Sequence, residues 1–330
     1  MKGESKKSKC IYCNNCNNKN IIKRGKQKTG NKVKQVYYCR NCKKRFVDSE
    51  LKWKGFDAGV ILSAISYYNL GNTLEKSSRL VNKRFKVRTS KSSISNWLKE
   101  FRGIYSYHRL RDEILEKYTG DIIASKIFKH KGLTYNYKYH KAKLELFGGK
   151  YKGLYSYLTN FEENFPHKFF EEDRRCSQIK LKSDVSLKEN KNNYACKIAS
   201  LALMSASSNY ERHNAVEEFM LINDTATIAV EVPVWFWKKD NAQGEGICGH
   251  IDILQIRFGN IWILDFKPDA SKEKPQKVAS QLYLYALGLS FRTGISLKKI
   301  RCSWFDEKNC YEFNPSELKI KNNNNLSEPK

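Results

Sequence analysis

The sequence lacks any long apolar run, since none approaches the roughly 18 consecutive apolar residues that a transmembrane helix needs. It also lacks an apolar signal region after its lysine-rich start, so we expect no membrane partner and reduced thiols in a cytoplasmic, nucleoid-associated protein. Acidic residues are scarce as well, because 34 Asp and Glu face 61 Lys and Arg. The resulting net charge of +27 indicates a polyanionic partner.

A tight antiparallel hairpin is predicted where two apolar runs, 247–257 and 260–267, are separated only by a Phe-Gly pair. So short a connection fixes the register of the two strands, because side chains alternate between the faces with a period of two. Counting outward from the turn places Asp252 opposite Asp265 on one face of the hairpin. The sequence therefore predicts two carboxylates side by side.

The same count places His250 opposite Lys267 on that face. Directly opposed Cβ atoms lie about 4.5–5.5 Å apart, so two ionised aspartates would repel each other unless a cation lay between them. Mg²⁺ or Mn²⁺ satisfies such oxygen ligands, and Lys267 would hold an attacking water or offset charge on a phosphate. The alternative is an exposed hairpin whose charges only solvate one face, although the hairpin is otherwise apolar on both faces.

Three motifs carry a family resemblance: Gly249-x-x-Asp252, Asp265-x-Lys267 and Gln281-x-x-x-Tyr285. Together they resemble the RecB-type branch of the PD-(D/E)xK nuclease superfamily. The resemblance implies a restriction-endonuclease-like α/β domain with a mixed sheet flanked by helices. It also implies roles for five residues: Asp252 and Asp265 as Mg²⁺ or Mn²⁺ ligands, Lys267 as the catalytic lysine, and Gln281 and Tyr285 as the accompanying catalytic motif.

This resemblance covers about residues 194–313 and implies a further His or Glu ligand on an upstream helix. The segment 209–221 offers both residue types, because His213 and Glu217 fall on its apolar stripe. We predict His213 as the third metal ligand, and a hydrogen-bonded core histidine is the alternative. Glu217 and Glu231 are weaker candidates. Five cysteines lack the clustered spacing of an iron–sulfur quartet and are expected to be ordinary thiols: Cys176, Cys196, Cys248, Cys302 and Cys310.

A second metal site is predicted near the N-terminus from Cys13-x-x-Cys16 and Cys39-x-x-Cys42. Two such pairs supply four thiolates for structural zinc in a β-ribbon, and the alternatives are two disulfides or a redox pair. Residues 1–54 contain 17 Lys and Arg against 3 Asp and Glu, which gives +14 of the total charge of +27. So small and basic a module favours a nucleic-acid partner.

A helix-turn-helix segment is predicted over 56–101, where a helical apolar rhythm is interrupted by Leu-Gly-Asn and resumes in a helix that begins at Ser90 or Ser92. The last helix would meet DNA bases with its N-terminal side chains. These predicted DNA-binding residues are Lys91, Ser92, Ser93, Ser95 and Asn96. A small helical bundle for packing or dimerisation is the alternative.

The ribbon followed by these helices resembles the N-terminal DNA-binding half of insertion-sequence transposases. The matching stretches are Cys-Arg-Asn-Cys-Lys-Lys-Arg-Phe at 39–46, Tyr-Tyr-Asn-Leu-Gly at 67–71 and Ser-Ile-Ser-Asn-Trp at 93–97. In those transposases a catalytic domain with an acidic triad comes next. Here no convincing triad follows residue 105, and the nuclease-like motifs fill the C-terminal third instead.

The region 105–190 is less informative. Its run 126–143 interleaves Lys and His with tyrosines, and the alternation over 133–140 predicts a strand with tyrosines on one face. Basic residues among aromatics suit a nucleic-acid backbone and its bases, and an edge strand with a solvated lysine face is the alternative.

We therefore predict a multidomain α+β protein, since 330 residues allow two or three domains and 40% hydrophobic content is enough for a core. The predicted segments are a zinc ribbon (1–50), a helix-turn-helix segment (51–104), a basic and aromatic intermediate region (105–190), a PD-(D/E)xK nuclease-like domain (191–313) and a disordered tail (314–330). The predicted activity is that of a Mg²⁺-dependent DNA endonuclease, a hydrolase directed by its N-terminal module.

The expected partner is DNA, RNA is not excluded, and a double-strand cut with one active site per chain would require a homodimer. Two other classes remain open for a protein of this composition. One is a regulatory DNA-binding protein whose nuclease-like domain does not hydrolyse DNA, and the other is a transposase-related protein of a mobile element that cuts and joins strands.

Overall fold

The fold is that of a computed structural model. It describes residues 12–13, 15–16, 18–29, 32–47, 55–118, 121–161, 165–190, 193–206, 208–237 and 246–320. The chain divides into two compact units, Met1–Phe101 and Arg102–Lys330. No helix in the described part is long and apolar enough to cross a membrane.

The first unit begins with a three-stranded antiparallel sheet. Its strands, in the order β1-β2-β3, are β1 (Ile21–Thr29), β2 (Lys32–Cys39) and β3 (Arg45–Val47). The register of β1 on β2 shifts between Lys23 and Lys26, where Gly25 has a φ of 82°. A glycine adopts this left-handed conformation without steric penalty, so it permits the bulge. The ring of Tyr37 stacks on that of Phe46 and covers the short sheet.

Three helices follow in the same unit: α1 (Ala58–Asn69), α2 (Leu74–Phe85) and α3 (Lys91–Phe101). The predicted break after the first helix is present, and Thr73 caps α2 by accepting a hydrogen bond from the Lys76 amide at 3.1 Å. Lys86, with a φ of 53°, ends that helix. Ser90 caps α3 by accepting from the Ser93 amide at 3.2 Å. The side chains buried among the three helices include Val60, Ile61, Ala64, Ile65, Val81, Ile94 and Trp97.

The second unit is built on a nine-stranded mixed sheet. The strands of this unit are β4 (Ile123–His130), β5 (Leu133–His140), β6 (Arg174–Arg175), β7 (Ser183–Asp184), β8 (Lys188–Glu189), β9 (Thr227–Trp237), β10 (Gly246–Arg257), β11 (Asn260–Phe266), β12 (Ile300–Phe305), β13 (Cys310–Phe313) and β14 (Lys319–Ile320). The order in the large sheet is β4-β5-β9-β10-β11-β12-β13-β8, with β6 pairing alongside β10. Strands β7 and β14 form a separate pair. The predicted α+β class and mixed sheet are thus confirmed.

Seven helices flank this sheet in the described residues: α4 (Arg111–Lys117), α5 (Lys141–Gly148), α6 (Lys152–Thr159), α7 (His167–Glu172), α8 (Tyr194–Leu203), α9 (Arg212–Asn223) and α10 (Pro275–Thr293). Helix α10 connects β11 to β12, which lie parallel, and packs against strands β9 to β12. Its aliphatic side chains form the centre of the hydrophobic core together with those of the strands. Helix α9 packs against β5 and β9.

The β10–β11 hairpin has the predicted register. Its connection is formed by Phe258 and Gly259, with φ values of 50° and 68°, and two positive φ angles in succession are typical of a type I′ turn. Pairing begins with Arg257 opposite Asn260 and runs to Ile253 opposite Leu264. Strand β11 then ends at Phe266, so the predicted pairing of His250 with Lys267 is absent from the described ladder. The partner of His250 is Pro233 on β9.

The region 105–190 supplies four strands to the large sheet, and the strand predicted over 133–140 is β5. Of its tyrosines, Tyr137 is buried and donates a hydrogen bond to the Leu158 carbonyl at 2.6 Å. The start of the predicted C-terminal tail, up to residue 320, contains a 3-10 turn (Pro315–Glu317) and β14, and residues 321–330 lie outside the described part.

Candidate functional site

Four acidic side chains come from three neighbouring strands and one helix. Ile251 pairs with Val232 and Ile253 with Val230 in the β9–β10 ladder, which places Asp252 opposite Glu231. The β10–β11 register, continued by one residue, places Asp252 opposite Asp265. Glu217 approaches from α9, where it is only 4% exposed. The two predicted aspartates therefore lie in a larger acidic cluster.

A candidate metal-binding group forms within this cluster. His213, Glu217 and Asp252 can each offer one ligand atom so that the three atoms lie within 4.8 Å of one another. Nδ1 of His213 lies 3.8 Å from Oδ2 of Asp252. Asp265, a predicted ligand, lies outside this group of three, and Glu217 takes part in its place. Two carboxylates and one imidazole are a donor set that could hold a divalent metal ion.

Helix α9 carries two of these side chains and is anchored at its C-terminal end by a buried lysine. Nζ of Lys143 donates hydrogen bonds to the carbonyls of Leu221 at 2.5 Å, of Thr227 at 3.0 Å and of Asp224. Lys143 is fully buried and its ammonium lies over the ring of Tyr107. These contacts join the last turn of α9 to the start of β9, which fixes the helix relative to the sheet.

The carboxylates of the acidic cluster repel one another, and burial adds to the cost of ionising them. Burial, reinforced by Asp252, raises the pKa of Asp265 to about 7. Burial and the neighbouring Asp265 raise the pKa of Glu231 to about 7 as well. The pKa of Glu217 is raised well above its ordinary value by burial and by Glu231. Each shift has the direction expected for like charges held in a poorly solvated site.

Lys267 is the counter-charge in this cluster. Its Nζ lies 2.7 Å from Oδ2 of Asp265. Burial acts to lower the pKa of Lys267, but Asp265 and Asp252 outweigh it and raise the pKa, so the amine stays charged. Oδ2 of Asp252 accepts a hydrogen bond from the Phe266 amide at 3.2 Å. The side chains of Asp252 and Asp265 also interact directly with each other.

The Gln-Tyr motif of α10 lies beside these groups. Nε2 of Gln281 donates to the hydroxyl of Tyr285 at 2.9 Å, and both side chains are buried. The Tyr285 ring packs against Gly249, where a Cβ atom would lie 2.5 Å from a ring carbon. This close approach explains why the strand motif begins with a glycine, since any larger residue would displace the tyrosine.

A pocket adjoins the acidic cluster and was not predicted from the sequence. It has a volume of about 130 Å³, and its lining includes His130, Tyr135, Phe170, Arg175, Glu231, His250 and Asp252. These side chains come from six different strands and helices. The one signal in the sequence is the run of basic and aromatic residues around Tyr135.

The four predicted zinc ligands are also brought together. Their sulfur atoms all lie within 4.8 Å of one another, with 3.5 Å between Cys13 and Cys42 and between Cys16 and Cys39. Four thiolates around a tetrahedral zinc ion with Zn–S bonds of about 2.3 Å would be separated by about 3.8 Å. The Asn15 amide donates a hydrogen bond to the Cys13 sulfur at 3.4 Å. The cluster could therefore bind zinc.

The predicted DNA-binding side chains occupy the first turns of α3. Lys91, Ser92 and Asn96 are exposed, whereas Ser93 and Ser95 are half-buried. Lys91 lies 3.7 Å from Glu75 in an exposed ion pair. The opposite side of the helix is buried in the first unit through Ile94.

No protein-family model matches the chain, and no curated protein or solved structure is significantly similar to it.

Proposed function

We propose that the chain is a divalent-metal-dependent nuclease that hydrolyses phosphodiester bonds in DNA through its C-terminal unit. The observation that carries this proposal is the grouping of His213, Glu217 and Asp252 next to the Asp265–Lys267 ion pair. Metal-ligating carboxylates beside a charged lysine are the parts that hydrolysis of a phosphodiester requires. The motifs that resemble the RecB-type branch of the PD-(D/E)xK nucleases contain Asp252, Asp265 and Lys267.

In this proposal His213, Glu217 and Asp252 hold one Mg²⁺ or Mn²⁺ ion, and Oδ1 of Asp265 completes the site. The bound ion supplies Lewis-acid stabilisation of the phosphate and a more acidic water. Lys267 keeps its proton because two carboxylates raise its pKa, so it orients the nucleophilic water and offsets negative charge on the phosphate. Gln281 and Tyr285 are positioning residues that keep the first part of β10, around Gly249, in place.

The N-terminal unit is proposed to select the DNA. A zinc ion held by the four N-terminal cysteines would stabilise the basic ribbon, and α3 would act as the recognition helix of a helix-turn-helix. Metal-coordinating nuclease residues contact phosphates and carry little sequence information. A separate DNA-binding module that contacts bases would therefore give the enzyme its sequence specificity.

Cleavage of a covalently closed plasmid and of a branched oligonucleotide tests the proposal. We expect the purified chain to nick these substrates with Mg²⁺ or Mn²⁺ and to be inactive when neither is added. Asp252→Asn should lower the rate by about 100-fold or more, because it removes a metal ligand.

The matched control is Asp269→Asn, which neutralises an exposed aspartate just beyond the motif. Asp269 has a φ of 62°, a conformation that asparagine tolerates, and pairs only with the exposed Lys272 in the described contacts. This variant should cleave at the wild-type rate. If the wild type binds DNA and leaves every substrate intact, the regulatory alternative is favoured, and joined products would favour the transposase-related one.

A further inference from the structure

The pocket beside the acidic cluster has aromatic walls. The rings of Tyr135 and His250 are stacked with centroids 3.6 Å apart and planes 6° from parallel. Phe170 packs against both His130 and His250, at 4.8 and 5.2 Å between centroids. The guanidinium of Arg175 lies 5.9 Å from the Tyr135 centroid. Planar rings and a guanidinium are the groups on which nucleobases stack.

Two buried imidazoles in this wall have unsatisfied nitrogens. His130 is 1% exposed and His250 is 8% exposed. Within the described residues, neither Nδ1 of His130 nor Nε2 of His250 has a hydrogen-bond partner. Leaving a buried polar atom unpaired costs about 1–3 kcal/mol, so a ligand that pairs with these atoms would recover that free energy. The pocket therefore contains hydrogen-bonding capacity that the described residues leave unused.

The polarity of the pocket selects among ligands. Two carboxylates, of Glu231 and Asp252, line the pocket together with one guanidinium, of Arg175, so a neutral hydrogen-bonding ligand suits it better than a phosphate. The pocket has a volume of about 130 Å³ and planar side chains in its wall. A flat heterocycle fits these conditions.

We propose that this pocket binds one unstacked nucleobase of the strand that is cut, in the nucleotide next to the scissile phosphate. The pocket and the candidate metal group share Asp252, so a base in the pocket belongs to a nucleotide at the metal. A base within an intact duplex cannot reach such a pocket without leaving the stack. The preferred substrate class is therefore single-stranded or flapped DNA with an unpaired nucleotide at the cut, an inference that rests on the proposed function.

The test measures binding affinity after removing either one base from the oligonucleotide or one aromatic side chain from the pocket. The full chain is titrated with hairpin oligonucleotides that carry a short single-stranded tail, in which one abasic site is moved along the tail. Ca²⁺ replaces Mg²⁺ to keep the strand intact. We expect a loss of affinity of about tenfold at one tail position and little loss at the others, because stacking on aromatic side chains is confined to one base.

Tyr135→Leu should bind the intact tail about tenfold more weakly than the wild type and show no further loss when that base is missing. Tyr135→Phe, which keeps the ring, should restore the wild-type pattern. The matched control is Tyr155→Leu on α6, whose side chain lies outside the pocket and is 37% exposed, and it should behave as the wild type does.

Equal losses of affinity at every tail position would overturn the proposal. It would also be overturned if the loss of affinity from Tyr135→Leu and the loss from the abasic site were simply additive. The abasic scan of the wild type is decisive by itself if Tyr135→Leu does not fold. Cleavage of the same oligonucleotides with Mg²⁺ is measured in parallel. A loss of affinity at one tail position without any cleavage would reject the proposed nuclease activity but support the base pocket. Cleavage without such a localised loss of affinity would reject the base pocket but support the nuclease activity.

Discussion

Glu231 is the most unusual residue of the candidate site. It has a φ of 51° in the middle of β9, in a region of backbone space that side chains other than glycine, asparagine and aspartate rarely adopt. Such a conformation costs about 1–3 kcal/mol and persists where the surrounding structure imposes it, most often at functional sites. Its side chain is also half-buried beside other acids. Both features indicate that the position is constrained by the site rather than by strand stability.

Replacing Glu231 by glutamine should stabilise the metal-free protein. Above about pH 7 the wild-type carboxylate is ionised among like charges, and glutamine removes that repulsion at nearly the same size. We expect a gain of about 1–2 kcal/mol in the free energy of unfolding near pH 8, measured by thermal or denaturant unfolding without divalent ions. Glu145→Gln, at an exposed position on α5, should leave stability unchanged.

The gain should depend on pH. The pKa of Glu231 is raised to about 7 in the folded protein, above the ordinary 4.5 of the unfolded chain. The folded protein therefore binds the proton more tightly, and the wild type loses stability as the pH rises from about 4.5 through 7. The advantage of Glu231→Gln should shrink towards pH 5. A variant that is less stable than the wild type near pH 8 would contradict this account of the cluster.

At the scale of elements, the contact between β10 and α10 sets the geometry of the site. Gly249→Ala would place a methyl group 2.5 Å from the Tyr285 ring, which must then move. We expect a loss of about 1–3 kcal/mol in stability and weaker divalent-ion binding, measured by calorimetry. Combining it with Tyr285→Leu should recover part of the lost stability, because the smaller side chain makes room.

Gly149→Ala serves as the control for this prediction. A Cβ atom at Gly149 would make only an ordinary contact of 3.8 Å with the Glu145 carbonyl, in a backbone conformation that alanine adopts readily. If Gly249→Ala is as stable as this control, the close approach of Tyr285 to Gly249 does not contribute to stability as predicted.

The ribbon should contain one zinc ion per chain. Cys39→Ser removes one of four thiolates, so we expect bound zinc to fall from one equivalent to near zero by elemental analysis after dialysis. Cys302→Ser, a buried cysteine of β12 far from the ribbon in sequence, should retain the full equivalent. If Cys39→Ser retains its zinc and Cys302→Ser loses it, the zinc site is not in the ribbon.

The sequence predicts the elements that depend on neighbouring residues. The β10–β11 register follows from a two-residue turn, and the helices of the first unit follow from apolar periodicity and caps such as Thr73. It does not predict the position of β5 beside β9, because that pairing joins segments about 90 residues apart and no local rule selects it. The pocket is missed for the same reason. Glu217 is underrated as a candidate ligand because helix periodicity identifies its face but not its distance from Asp252.

For the whole molecule, the charge of +27 and the proposed reader in the first unit predict how DNA binding responds to mutation and salt. Asn96→Ala should relax sequence preference and cost about 1–3 kcal/mol at the preferred site, as expected for a side chain that contacts a base. Lys91→Ala should weaken binding to all sequences alike and reduce the slope of affinity against salt by about 1. Binding to selected and scrambled duplexes at several salt concentrations measures both.

Lys99→Ala is the control, because Lys99 is exposed at the opposite end of α3. It should leave sequence preference unchanged. If Asn96→Ala keeps the full preference of the wild type, α3 is not the recognition helix, and the alternative of a packing or dimerisation bundle gains support.

The most direct test of the central claim is the position of a bound Mn²⁺ ion in crystals of the full chain. Anomalous difference maps collected above and below the manganese absorption edge distinguish Mn²⁺ from zinc. The account predicts a manganese peak about 2.1 Å from a nitrogen of His213 and from carboxylate oxygens of Glu217 and Asp252. Manganese sites elsewhere, with none among these three side chains, would contradict it.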